Sequence, residues 1–242
     1  MKKRELLLML ILMASMTPLF AQDSSREMPG ELGYLLPNGW TITPTGRQVD
    51  VPDLPTKVVV SPAGIHAFVL TSGWNDHGVS VIDLGHNQKT QTVKLKTSWL
   101  GMALNASNDR LYVSGGTRPV IEVMAYDAGQ RAAPLTHLPA IQLDTTRVTK
   151  PYLGGMAVGL RGGILYVADA HGQALIEVDL ESRKTGRIIA LDGIPYQPVM
   201  STDGKRIFVT LWDRKQIAVV DVASGQVTKR IDVGSHPNDL VL

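Results

Sequence analysis

Residues 201–225, STDGKRIFVTLWDRKQIAVVDVASG, decide the fold. The turn residues Thr202-Asp203-Gly204 lead into an alternating run over Arg206–Leu211. A polar loop at 212–215 follows, then a β-branched run over 216–220, then a second turn at Ala223-Ser224-Gly225 and a last run over 226–233. Short alternating runs separated by turn chemistry at about ten-residue intervals predict antiparallel strands joined by hairpins. With residues 198–201 in front, the unit has four strands. It also recurs. The aromatic-Val pairs Phe68-Val69, Tyr112-Val113, Tyr166-Val167 and Phe208-Val209 are spaced 44, 54 and 42 residues apart, and the closing aspartates Asp83, Asp127, Asp179 and Asp221 are spaced 44, 52 and 42. A repeat of about 40–45 residues with four antiparallel strands predicts the blade of a β-propeller, which protects its sheet edges by radial packing. The long step between the second and third pairs points to an insertion over 128–148. The recurring aspartates read as turn residues.

Several stretches resemble the YVTN-type propeller repeats of the YncE-like family: Tyr112-Val113-Ser114, Tyr166-Val167-Ala168, Val79-Ser80-Val81-Ile82-Asp83, Ile217-Ala218-Val219-Val220-Asp221, Ser61-Pro62-Ala63-Gly64 and Ser201-Thr202-Asp203-Gly204. The resemblance runs from about residue 34 to residue 242. Leu36-Pro37-Asn38-Gly39-Trp40, Thr45-Gly46-Arg47-Gln48-Val49 and Trp99-Leu100-Gly101 are similar, more narrowly, to exported bacterial proteins in which such a propeller precedes an alkaline-phosphatase-type phosphoesterase domain. The resemblance implies seven-bladed rings, and single-stranded nucleic acid as a partner. It transfers no phosphoesterase residue to this chain.

At the N-terminus, Lys2, Lys3 and Arg4 precede an apolar run over 6–20 that ends in Ala21-Gln22, the order of a secretory signal peptide over residues 1–21. That run is too short to span a bilayer as a helix. Its removal with Glu5 takes the formal charge from +2 to zero, so no global basic pull on nucleic acid or membrane is expected. A periplasmic or secreted product with no membrane span after cleavage follows. Residues 22–33 read as a flexible leader and 34–242 as the propeller. Residues 40–44 and 47–51, joined by Thr45-Gly46, resemble the last two strands of a blade, and 235–242 resembles the entry to an inner strand. Four complete blades with partial terminal ones are therefore expected, an incomplete ring that reads as a fragment.

The chain has no Cys, which excludes disulfide staples, thiolate zinc and thiol nucleophiles. It has no Gly-x-Ser-x-Gly elbow, phosphate loop, dinucleotide-binding glycine pattern or His-Glu-x-x-His. The six histidines never stand at i, i+2 or i, i+4 spacing. No catalytic residue, metal ligand or cofactor is assigned from these patterns, although distant side chains can still converge. In a propeller the loops after the second and fourth strands of each blade emerge on one face, where ligands and partners are met. The former loops carry Trp74 and His77, Arg118, Asp169 and His171, and Trp212 and Arg214; the latter carry Trp99, Tyr152, Tyr196 and His236. Aromatic faces interleaved with cations suit stacked rings, sugars or anionic groups, whereas the same residues equally suit packing against a neighbouring blade or plain solvation. The expected function is an exported, non-catalytic binding or scaffold propeller for a small ligand or a protein. The alternative is the propeller portion of a phosphoesterase whose catalytic domain lies outside this chain. A lactonase-type hydrolytic propeller is a third reading that no motif here argues for.

Overall fold

A computed structural model describes residues 26–27, 34–35, 38–43, 46–74, 76–160 and 163–242. Those residues form strands, turns and irregular segments, with no helix among them. The signal peptide expected over 1–21 lies outside the described residues, as do Asn75 and most of the 22–33 leader. The chain divides into two units, Met1–Gln48 and Val49–Leu242. In the first, β1 (Arg26–Glu27), β2 (Tyr34–Leu35) and β3 (Thr41–Ile42) pair in the order β1-β2-β3.

The second unit is a four-bladed β-propeller of antiparallel four-stranded sheets. Blade A is β4 (Pro55–Val60), β5 (His66–Ser72), β6 (His77–Asp83) and β7 (Gln88–Lys94). Blade B is β8 (Met102–Leu104), β9 (Arg110–Ser114), β10 (Val120–Tyr126) and β11 (Leu135–Gln142). Blade C is β12 (Leu153–Val158), β13 (Ile164–Asp169), β14 (Ala174–Asp179) and β15 (Lys184–Ala190). Blade D is β16 (Pro195–Met200), β17 (Arg206–Leu211), β18 (Gln216–Asp221) and β19 (Gln226–Asp232). The first strands of successive blades, β4, β8, β12 and β16, are neighbours and form the inner lining.

Two expectations change. The strand pair expected over 40–51 does not form: Thr41–Ile42 pairs with Tyr34–Leu35, and residues 46–51 are irregular. Val49 and Val51 instead pack on Ala67, Val69 and Ile82, covering part of the outer face of blade A without joining a ladder. Their alternation is that of a strand because alternate residues touch one surface. Residues 235–242 likewise enter no strand. Of the expected insertion over 128–148, Leu135–Gln142 form the outer strand β11, an edge position that tolerates Pro139 within it.

The repeated aromatic-Val pair explains how blades hold one another. Phe68 of blade A packs with Val113 of blade B, Tyr112 of blade B with Val167 of blade C, and Tyr166 of blade C with Val209 of blade D. Adjacent residues of a strand point to opposite faces, so each pair sends its aromatic forward and its valine back. Phe68, Tyr112 and Tyr166 are buried. Phe208 faces no following sheet among the described residues and is only half-buried, with the Arg206 guanidinium 6.0 Å from its ring centroid.

Polar ties reinforce the seams. Glu177, buried on β14, accepts two bonds from Arg187 at 2.6 and 2.8 Å. The same guanidinium donates to the carbonyls of Val222 and Ala223 in blade D at 2.7 and 3.0 Å. Arg187→Met leaves Glu177 buried without its partner, and because the guanidinium is partly solvated a loss of about 2 kcal/mol in urea unfolding is expected.

The recurring aspartates are turn residues, each accepting a backbone N–H two or three residues on: Gly85 for Asp83, Gly129 for Asp127, Ser182 for Asp179 and Ser224 for Asp221. Side-chain bonding to His86, with the Gly85 and His86 N–H groups, lowers the Asp83 pKa to about 2. The Ser182 and Ser224 N–H and hydroxyl groups hold Asp179 and Asp221 below the usual carboxylate range. A folded-state pKa depressed below the unfolded value stabilises the fold above the unfolded value, and that contribution disappears as pH falls through the folded one. Stability is therefore expected to hold down to about pH 4 and fall between about pH 4 and 2, which circular dichroism across an acid titration would follow.

Candidate functional site

The connections into blades B, C and D bring aromatic side chains together at the entrance to the inner lining. Trp99 precedes β8, Tyr152 precedes β12, and Tyr196 is the second residue of β16. The Trp99 ring lies 4.3 Å from Tyr152 in a tilted arrangement and 5.1 Å from Tyr196 edge-on. His171, from the loop after β13, stacks on Tyr152 at 5.2 Å. Aromatic pairs at such separations add about 0.5–1.5 kcal/mol each beyond their buried area.

Trp99 is fixed from behind. Its carbonyl oxygen accepts the hydroxyls of Thr56 and Ser72, and the preceding residue, Ser98, donates its hydroxyl to the carbonyl of Thr71 at 2.8 Å. The Ser98 N–H also donates to His77 Nδ1 at 3.1 Å, leaving the proton of the neutral His77 ring on Nε2. Asp169, buried at the end of β13, accepts the Tyr152 N–H at 2.9 Å. His171 Nδ1 donates to the Lys150 carbonyl at 3.2 Å. Burial pushes the Tyr196 phenol above its ordinary value, with Tyr152 adding to the shift. Tyr196 is therefore a neutral hydrogen-bond donor near pH 7.

The candidates from sequence thus separate into groups. Trp99, Tyr152, His171 and Tyr196 share one cluster, with Asp169 and His77 as its supports. Trp212 and His236 form a second pair at 4.2 Å. Trp74 stands 91% exposed; its backbone N–H donates to the Asp53 carboxylate, and its ring is in none of these stacks. Arg214 is held by Asp192 and Asp213. Arg118 turns to the buried carboxylate of Glu122 at 3.1 Å, which His137 also meets at 3.1 Å, beside a groove between blades A and B flanked by Lys94 and Lys96.

Beside the aromatic cluster lies a cleft of about 180 Å³, lined by Thr56, Lys57, Trp99, Tyr196, Gln197 and Asp239 among others. Lys57 Nζ is 3.4 Å from Gln197 Oε1 and 3.6 Å from the Asp239 carboxylate. Neither Lys57 nor Gln197 stood out in the sequence. The available signal was register. Val58, Met102, Met156 and Pro198 pair with the repeat valines Val69, Val113, Val167 and Val209, which makes the preceding residues, Lys57, Gly101, Gly155 and Gln197, equivalent. Two blades carry glycine there, and two carry long polar side chains that meet. Among the described residues no three His, Asp or Glu side chains converge as a metal site would require.

No protein-family model matches this chain, and no curated protein sequence matches it. Its fold is similar to solved structures. Hydrazine synthase of Kuenenia stuttgartiensis matches at 20% identity with a TM-score of 0.63 over 83% of this chain and 54% of that one. The periplasmic gluconolactonase PpgL of Pseudomonas aeruginosa matches at 20% identity with a TM-score of 0.60 over 76% and 55%. The chain thus spans little more than half the length of either protein, and at this identity the likeness concerns the fold.

Proposed function

We propose that the protein is an exported, non-catalytic binding propeller of the YncE-like kind, and that it meets a small ligand through the clustered rings of Trp99, Tyr152, His171 and Tyr196. One observation supports this above the others: two blade connections, the start of the inner strand β16 and one neighbouring loop contribute rings to a single cluster, and the hydroxyls of Thr56 and Ser72 anchor the backbone of its central tryptophan. Side chains held this way present a preordered aromatic surface at little entropic cost on binding. Trp212 with His236 offers a second, smaller platform.

Ligand-observed NMR with benzyl alcohol, a neutral one-ring probe, tests the site. Trp99→Ala is expected to weaken its binding at least about fivefold, as loss of a stacking partner worth about 1–3 kcal/mol implies, while Trp74→Ala leaves it unchanged. Equal binding by wild type and Trp99→Ala would overturn the reading. The partner implied by the YncE resemblance is tested separately by anisotropy with labelled oligothymidylate. Export is tested by sequencing the N-terminus of the mature product, expected at Gln22; an intact Met1 on a periplasmic or secreted product would sink it.

A further inference from the structure

The inner-strand register carries a more specific conclusion about the same site. At the four equivalent positions before Val58, Met102, Met156 and Pro198, blades B and C have Gly101 and Gly155, and blades A and D have Lys57 and Gln197. A side chain at Gly155 would place its Cβ 2.7 Å from Gln197 Oε1, so the Gln197 amide fills the space this glycine leaves. Gln197 is 94% buried by its 6% exposure; its Nε2 donates to the Pro198 carbonyl at 2.9 Å, and its Oε1 is turned to Lys57. A lysine and a glutamine on inner strands, where an apolar lining would hold the fold as well, break the local pattern of the sequence, and such breaks concentrate at functional sites.

Lys57 is the one cation lining this cleft. Its side chain retains 23% exposure, and its carboxylate partner, Asp239, sits on an irregular segment with a side chain 64% exposed. An ion pair open to water on that scale contributes little and exchanges readily. The Asp239 carboxylate therefore occupies the position that a ligand carboxylate would take, within reach of the Lys57 ammonium in a cleft that Trp99 and Tyr196 also line.

We infer that the cleft is a binding site for a small anion with a flat body, an aryl carboxylate in chemical class. Lys57 takes the charge, Trp99 and Tyr196 flank the ring, and Asp239 is an internal competitor that the ligand displaces. This inference rests on the aromatic cluster being a binding surface, and it adds the charge of the ligand and the residue that reads it.

Paired NMR titrations of the full chain with benzoate and benzyl alcohol test it. Benzoate is expected to bind about tenfold or more tightly than benzyl alcohol. Lys57→Met should remove that advantage while leaving benzyl alcohol unchanged and the fold intact by circular dichroism. Asp239→Asn should tighten benzoate about two- to fivefold by removing the competing carboxylate, and added salt should weaken benzoate alone. Equal affinity for the two probes, no binding of benzoate, or full benzoate affinity in Lys57→Met would each overturn the anion site. Loss of both probes in Trp99→Ala together with equal affinities in wild type would leave the aromatic surface standing without it, whereas indifference of benzyl alcohol to Trp99→Ala would remove the surface itself.

Discussion

Phe68→Ala is expected to cost about 3–5 kcal/mol in urea unfolding, and Phe208→Ala only about 1–2 kcal/mol, although the two residues hold the same place in the repeat. Phe68 is fully buried against Leu70, Val79 and Val81 of its own blade and Leu111, Val113 and Met124 of the next, so truncation opens a cavity that two rigid sheets cannot close. Phe208 is half-buried, and water already reaches part of the volume its ring would vacate. Its pairing across the sheet, to Val199 and Val219, persists with a smaller side chain. Tyr112→Ala and Tyr166→Ala should follow Phe68. Equal losses at Phe68 and Phe208 would mean that the forward-facing aromatic stabilises its own blade and not the seam.

Gly101→Ala is expected to be nearly as damaging, at about 3 kcal/mol or more, even though it adds one carbon. The new Cβ would lie 2.0 Å from the Gly154 carbonyl oxygen and 2.3 Å from Ser114 Oγ. The first of these atoms is backbone of the next blade, so relief requires two inner strands to separate. Gly234→Ala, with nothing within 4 Å of its Cβ position, is the control and should change stability by less than about 0.5 kcal/mol. The comparison of the two denaturation midpoints checks the expectation.

Most of the propeller was legible because it rests on period-two patterning and on turn residues that act locally. Tyr166-Val167 and Asp179 announce a strand and its closing turn with no knowledge of the remaining chain. Residues 47–51 misled because Val49 and Val51 alternate as a strand does, and alternation reports contact with one surface, whether or not a neighbour supplies backbone bonds. In the site, Trp99, Tyr152 and Tyr196 were visible as large aromatics at connections. Lys57 and Gln197 were not, since 140 residues separate them and their meeting depends on the offset of two inner strands against their partners. Bulges set those offsets, between Pro55 and Lys57 in one blade and between Pro195 and Pro198 in another. A bulge is a long-range geometric event with a weak local signature.

The forward aromatic and backward valine make the three seams between successive blades from the same two parts, like a plug and a socket carried on one strand. A blade copied into the gene, or lost from it, arrives with both parts already present, and the blades on either side need no new surface to receive it. The seam thus places few limits on how many blades a descendant of this chain can carry. Width at the centre obeys a different constraint. The meeting of Lys57 with Gln197 requires two particular inner strands to face each other at one distance, so a change in blade number that every seam would accept would pull this pair apart. Growth of the scaffold and retention of its central chemistry are in this way set against each other.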